Sequence, residues 1–123
     1  SLYDAIVQSV NLAGREPGRV TVVVVTDGQD TSSKEATRGS VREAIAGFQQ
    51  DPMHRILFLG TNQDAVVAAQ ALGIPVDSAL TFGTDATHVR SAFRSVSENV
   101  GRMRSGDNQG FNVSERTRAV SAQ

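Results

Sequence analysis

The chain has 123 residues, of which 39% are hydrophobic and 20% charged, and a formal net charge of −1. That is one domain of ordinary globular composition, long enough for a real core and without the bias of a disordered segment. Near-neutral charge, one Tyr, no Trp and five Phe exclude the basic, base-stacking surface of a nucleic-acid binder, and the lack of cysteine excludes disulfides, thiolate zinc sites and cysteine nucleophiles. No stretch approaches the ~20 apolar residues of a membrane span, and no signal peptide is visible. The expectation is a soluble protein; the cytoplasm is preferred, but no compartment is assigned.

Leu2, Ala5, Ile6, Ser9, Val10 and Ala13 fall at helical spacing, with Gly14 as a C-cap. The chain opens Ser-Leu-Tyr-Asp, without Met and already inside this helix, so it is expected to be a piece of something longer. After a turn at Arg15–Gly18, Val20–Thr26 reads as a strand apolar enough to be buried on both faces, as in the middle of a parallel sheet. Asp27 to Gly39 is a polar loop without periodicity. Ser40-Val-Arg-Glu43 reads as a capping box, opening a helix with Val41, Ala44, Ile45 and Phe48 on one face, and Asp51-Pro52 ends it.

Arg55–Leu59 is a second buried strand, stopped by Gly60. Thr61–Asp64 caps a helix whose small face, Ala65, Ala68, Ala69 and Leu72, lets it lie close to the sheet. Ala79–Phe82 is a short third strand. Asp85 or Thr87 caps the next helix, with an apolar stripe of Val89, Ala92, Phe93, Val96, Val100 and Met103. Residues 1–104 form the domain by this reading. Residues 105–123 turn polar, with Phe111 and Val113 as the large anchors, and are expected to be a loosely held tail.

The order α-β-α-β-α-β-α implies a Rossmann-like three-layer α/β/α fold with a parallel sheet and right-handed crossovers. All three strands then end on one edge, where open α/β sheets place their ligands. That edge carries Asp27-Gly28, Gly60-Thr61-Asn62 and Gly83-Thr84-Asp85, each a glycine beside oxygen-bearing side chains. A carboxylate followed by glycine and hydroxyls is hard-cation chemistry, suited to Mg²⁺ or Ca²⁺. Asp27 is the candidate metal ligand; the alternative is a turn aspartate bonding its own backbone. Asp30, Thr31, Ser32 and Ser33 suit loop and cap roles at the rim, as do Thr61 and Asp64. Asn62 is a further rim residue. His54 and His88 lack partners at ligand or triad spacing and read as surface residues. Arg102 and Arg104 suit the dipole at a helix C-terminus.

Nucleophile-elbow, Walker A, dinucleotide-binding and zincin motifs are missing, so the expectation is binding and not catalysis. A Mg²⁺-dependent phosphotransferase or receiver-like domain is the enzymatic alternative. It has Thr61 in its favour, but the single lysine, Lys34, lies in the first loop and not after the third strand. A structural assembly module is a third possibility.

Four segments resemble the C-terminal part of von Willebrand factor A-type domains. Ser1-Leu-Tyr-Asp-Ala-Ile6 is similar to the family's T-x-L-Y-D-A-I helix, and Val22-Val-Val-Val-Thr-Asp-Gly28 to its strand and third metal loop. Phe58-Leu-Gly-Thr-Asn-Gln-Asp-Ala65 with Leu72-Gly-Ile74 resembles bacterial and phage-borne members. Arg102-Met-Arg-Ser-Gly106, Phe111 and Glu115-Arg116 fit the end of such chains.

The resemblance implies a protein-interaction domain with a metal-ion-dependent adhesion site. There an Mg²⁺ (or Mn²⁺ or Ca²⁺) ion is completed by an acidic side chain of a protein partner. The family draws its ligands from D-x-S-x-S, a threonine and the aspartate of T-D-G. This sequence supplies Asp27 of the last, flanked by Thr26 and Gly28, and the other ligands would precede residue 1. The expectation is therefore weak or no metal binding by this chain. Val20–Thr26 is expected to become an exposed edge, pairing with the missing N-terminal segment or with a second copy.

Overall fold

The computed structural model describes residues 2–28, 37–107 and 109–121. Its elements are α1 (Leu2–Ala13), β1 (Val20–Thr26), α2 (Arg38–Gln49), β2 (His54–Gly60), α3 (Ala65–Ala71), a 3₁₀ turn (Val76–Ser78), β3 (Ala79–Thr81), α4 (Ala86–Arg104) and α5 (Val113–Val120). The three strands pair in parallel in the order β1-β2-β3. Helices and strands alternate as in a small Rossmann-like α/β fold.

β2 runs through the middle, and Ile56, Leu57, Phe58 and Leu59 are each at most 1% exposed. Such burial is worth about 1.5–3 kcal/mol per large apolar side chain. Because strand side chains alternate, the two faces build two cores. On one face, Val22, Val24, Ile56 and Phe58 meet Ile6 and Val10 of α1, Val41, Ile45 and Phe48 of α2, and Ala65 and Ala69 of α3. On the other, Leu57, Leu59, Leu80 and Phe82 meet Ala92 of α4, with Phe111 and Ala119. The small residues on the inner face of α3 were legible in the sequence, and Ala65 and Ala69 are fully buried.

β1 departs from the expectation of a strand buried on both faces. Val22 and Val24 are covered, but Val23 is 37% and Val25 47% exposed. The strand lies at an edge of the sheet, and helical cover on the second face reaches β2 and β3 but stops short of these two valines.

Helix starts also shift. Thr37 caps α2, and the capping box pairs Thr37 with Ser40 in place of Ser40 with Glu43. Asp64 and Asp85 cap α3 and α4 through their side-chain oxygens. The face that α4 buries holds Ala92, Ser95, Asn99 and Met103, with Val89 and Val96 partly buried, whereas Phe93 is 48% exposed.

The segment beyond residue 104 corrects the expectation of a loose tail. It carries α5, capped by a box between Asn112 and Glu115, and buries Phe111 and Ala119. Arg102 reaches Glu115 with two parallel bonds, Nη2 to Oε1 at 2.7 Å and Nη1 to Oε2 at 3.0 Å, and Nη2 also donates to the Gly110 carbonyl. Bonding to Glu115 raises the Arg102 pKa above its ordinary value. Arg102 therefore does more than complement the α4 dipole. Arg55 donates to Asn99 Oδ1 and the Gln109 carbonyl, and Arg118 to Ser95 and Glu98. Gly110 packs so closely on Asp77 that a Cβ would collide with its backbone.

Glu115 is 2% exposed at its side chain and Arg102 25%. Removing the cation leaves a buried carboxylate with one partner fewer. Arg102→Ala is expected to lower unfolding stability by about 3 kcal/mol in urea titrations. A tail that was only loosely held would leave the midpoint unchanged.

Candidate functional site

The register sets Thr26 opposite Gly60 and Gly60 opposite Thr81, so the strand ends converge at one edge. The Thr61 amide closes the β1–β2 junction by donating to the Thr26 carbonyl at 3.0 Å. Thr26 is buried, and its Oγ1 accepts the Gly28 amide at 3.0 Å. That bond turns the chain sharply after the strand, and Gly28 takes φ +87°, where a side chain would be strained. A Cβ there would also press on Gln63, whose amide reaches back to the Thr26 carbonyl. The consequence is that Asp27 stands exposed at the carboxyl end of β1.

Thr61 and Asn62 sit beside it. Asn62 is exposed, with φ +58°, a left-handed conformation that asparagine tolerates better than most residues. The Thr61 Oγ1 is buried and has no hydrogen-bond partner among the described residues. Orphaned buried hydroxyls are uncommon and call for an explanation. Asp30, Thr31, Ser32 and Ser33 lie outside the described residues. Sequence reasoning did not find Arg38, Tyr3 and Gln63, which with Gly28 and Phe58 line an adjoining cavity of about 220 Å³. No local pattern marks them, because they come from three separate parts of the fold.

The third strand end does not join this group. Asp85 Oδ1 accepts the His88 amide, and its Oδ2 faces His88 Nδ1 at 2.6 Å. His88 Nε2 lies 2.6 Å from the Ser121 carbonyl, while the Gly83 amide donates to the Ala119 carbonyl. His88 is thus a clasp between α4 and the end of α5 and not a surface residue. Gly83 allows it, since a Cβ there would strike the ring. His54 is likewise engaged. Its ring stacks on Phe48 at 4.4 Å, Nδ1 contacts the Phe48 carbonyl and Nε2 lies 3.5 Å from Asp51. That pair lines a cavity of about 420 Å³ at the opposite end of the sheet.

The start of α3 offers no cradle for a phosphate among the described residues. The Ala65 amide bonds Thr81 Oγ1, and those of Val66 and Val67 bond Asp64 Oδ1. The described residues hold no cluster of three metal-binding His, Cys, Asp or Glu side chains. No described helix is long and apolar enough to cross a membrane. No family model, curated protein or solved structure matches the chain.

The clasp carries a pH signature. The Ser121 carbonyl, and then Asp85, raise the His88 pKa above its ordinary 6.5. Hydrogen bonds from the His88 amide and ring lower that of Asp85 below 3.8. Two acceptors facing both ring nitrogens favour the imidazolium, which alone can donate from both. The histidine contribution is fully present below pH 6.5 and is lost as pH rises through the raised value. The Asp85 contribution is present above 3.8 and is lost as pH falls through the lowered value. The Tm advantage of the parent chain over His88→Ala is therefore expected at about pH 5.5 and should shrink by about pH 9. An advantage that grew with pH would contradict the clasp.

Proposed function

We propose that the carboxyl edge of the sheet is a binding surface for an acidic protein partner, used through a divalent cation in the manner of von Willebrand factor A-type domains. The observation carrying this reading is Asp27, exposed at the end of β1 beside a buried Thr61 hydroxyl that has no partner among the described residues. Both groups supply hard oxygens, and Mg²⁺, Mn²⁺ or Ca²⁺ would suit that donor set. A cation held there would leave coordination positions for a carboxylate of the partner. Thr26 and Gly28 support the reading by shaping the turn that presents Asp27. Arg38 in the neighbouring cavity adds positive charge suited to the same partner.

The residues present fit such an ion in kind and not in number. One carboxylate and one hydroxyl leave most of an octahedral shell to water. The resemblance assigns the remaining ligands to D-x-S-x-S and to the threonine opening T-x-L-Y-D-A-I, neither of which has a counterpart in this sequence. The reading therefore requires weak, Asp27-dependent cation binding by this chain. A phosphoryl-transfer site finds less support, because the amides opening α3 are occupied and no lysine follows β3.

Excess Mn²⁺ should broaden the amide resonances of Asp27, Gly28, Thr61 and Asn62 ahead of others, and Asp27→Asn should remove that broadening. Broadening centred elsewhere, or unchanged in Asp27→Asn, would remove the basis for the reading.

A further inference from the structure

The unpaired side of β1 offers a ladder, and its geometry selects a partner. In parallel pairing, the N–H and C=O of one residue point to the same side. The Val20 amide bonds Met53 and the Thr26 carbonyl bonds Thr61, so the even-numbered residues of β1 face β2. The N–H and C=O groups of Thr21, Val23 and Val25 therefore point outward, and no strand pairs with them among the described residues. The side chains of the same three residues lie on the less covered face, next to a groove of about 260 Å³ lined by Arg19, Val23, Val100, Met103 and Arg104. A fitting partner strand is apolar at its centre and acidic where it meets Arg19.

We infer that this edge pairs antiparallel with β1 of a second copy, about a two-fold axis through Val23, with Arg19 of each chain opposite Asp27 of the other. The outward-facing residues must bond one another, which restricts the central pair or its neighbours to odd-numbered positions. Within that restriction, centring on Val23 pairs all seven residues of β1, with Val20 opposite Thr26, Thr21 opposite Val25 and Val22 opposite Val24. The same register sets Arg19 opposite Asp27 at both ends. Sliding by one step to centre on Val22 or Val24 shortens the ladder and breaks the charge match. The contact is isologous and closes at two copies, giving a six-stranded sheet. It also places Val23 against Val23 and Val25 against Thr21 of the other copy, which covers apolar residues that neither core covers. Arg104, which lines the same groove as Arg19, adds to the attraction for the incoming carboxylate.

This dimer is independent of cation binding, since Asp27 acts in it as a plain cross-strand charge. Sedimentation equilibrium of the full 123-residue chain in EDTA tests it without metal. The parent is expected to show a monomer–dimer equilibrium. Arg19→Asp and Asp27→Arg, each bringing like charges together twice per dimer, should weaken it on the order of tenfold. The double variant Arg19→Asp/Asp27→Arg should restore the parent value, and Val23→Lys should abolish dimerisation. Circular dichroism confirms that each variant is folded. A chain monomeric at every concentration, open-ended aggregation, or a double variant no better than the singles would overturn the inference. Failure of Mn²⁺ to bind at Asp27 would leave it standing.

Discussion

The pairing of β1 with β2 is the constraint on which the rest of the structure depends. Its register ends both strands at the same level, and the Thr61-to-Thr26 bond locks their loops side by side. The same register commits the even-numbered backbone groups of β1 inward and the odd-numbered ones outward. One set of hydrogen bonds thus presents Asp27 at the carboxyl edge and leaves the flank of the strand without a strand partner among the described residues. A slip of one residue would turn Val22 and Val24 out of the core and withdraw Thr26 from its place under Gly28.

Around that pairing the molecule is closed by two unlike kinds of packing. The face under α1, α2 and α3 is held by apolar burial. The face under α4 and α5 mixes a smaller apolar cluster with buried polar groups: Glu115 on Arg102, Asn99 on Arg55, and Ser95 on Arg118. Burying Glu115, Asn99 and Ser95 is tolerable because each finds a partner, while the buried Arg118 Nε has none among the described residues. The result fastens the C-terminal segment to the third strand, and His88 adds a further tie through Ser121. The end of β3 is consequently filled, and the open part of the carboxyl edge narrows to the β1 and β2 loops.

The fold was largely legible in the sequence because its signals are local. A β-branched run, helical spacing of Val41, Ile45 and Phe48, and capping aspartates at Asp64 and Asp85 each act within a few residues. The failures share one cause, which is dependence on groups remote in sequence. A run of valines is the same whether a strand is central or at an edge; the edge position of β1 was expected from the resemblance alone, and the exposed faces of Val23 and Val25 could not be read from the run. Glu115 looked like tail polarity because Arg102 lies 13 positions away. Ser95 and Asn99 hid the true buried face of α4 because their partners are Arg118 and Arg55. In the site, Asp27 was legible from a strand meeting an acidic turn. The burial of the Thr61 hydroxyl, without a partner among the described residues, and the clasp of His88 arise only when strand ends and helices are assembled.

The β1–β2 register faces one alternate set of β1 backbone groups inward and leaves the other without a strand partner among the described residues. Amide hydrogen exchange read residue by residue along Val20–Thr26 in dilute solution tests it most directly. Alternation is expected, with Val22, Val24 and Thr26 protected while Thr21, Val23 and Val25 exchange freely. Uniform protection across all these residues in the dilute monomer, or protection of the odd-numbered set alone, would contradict it.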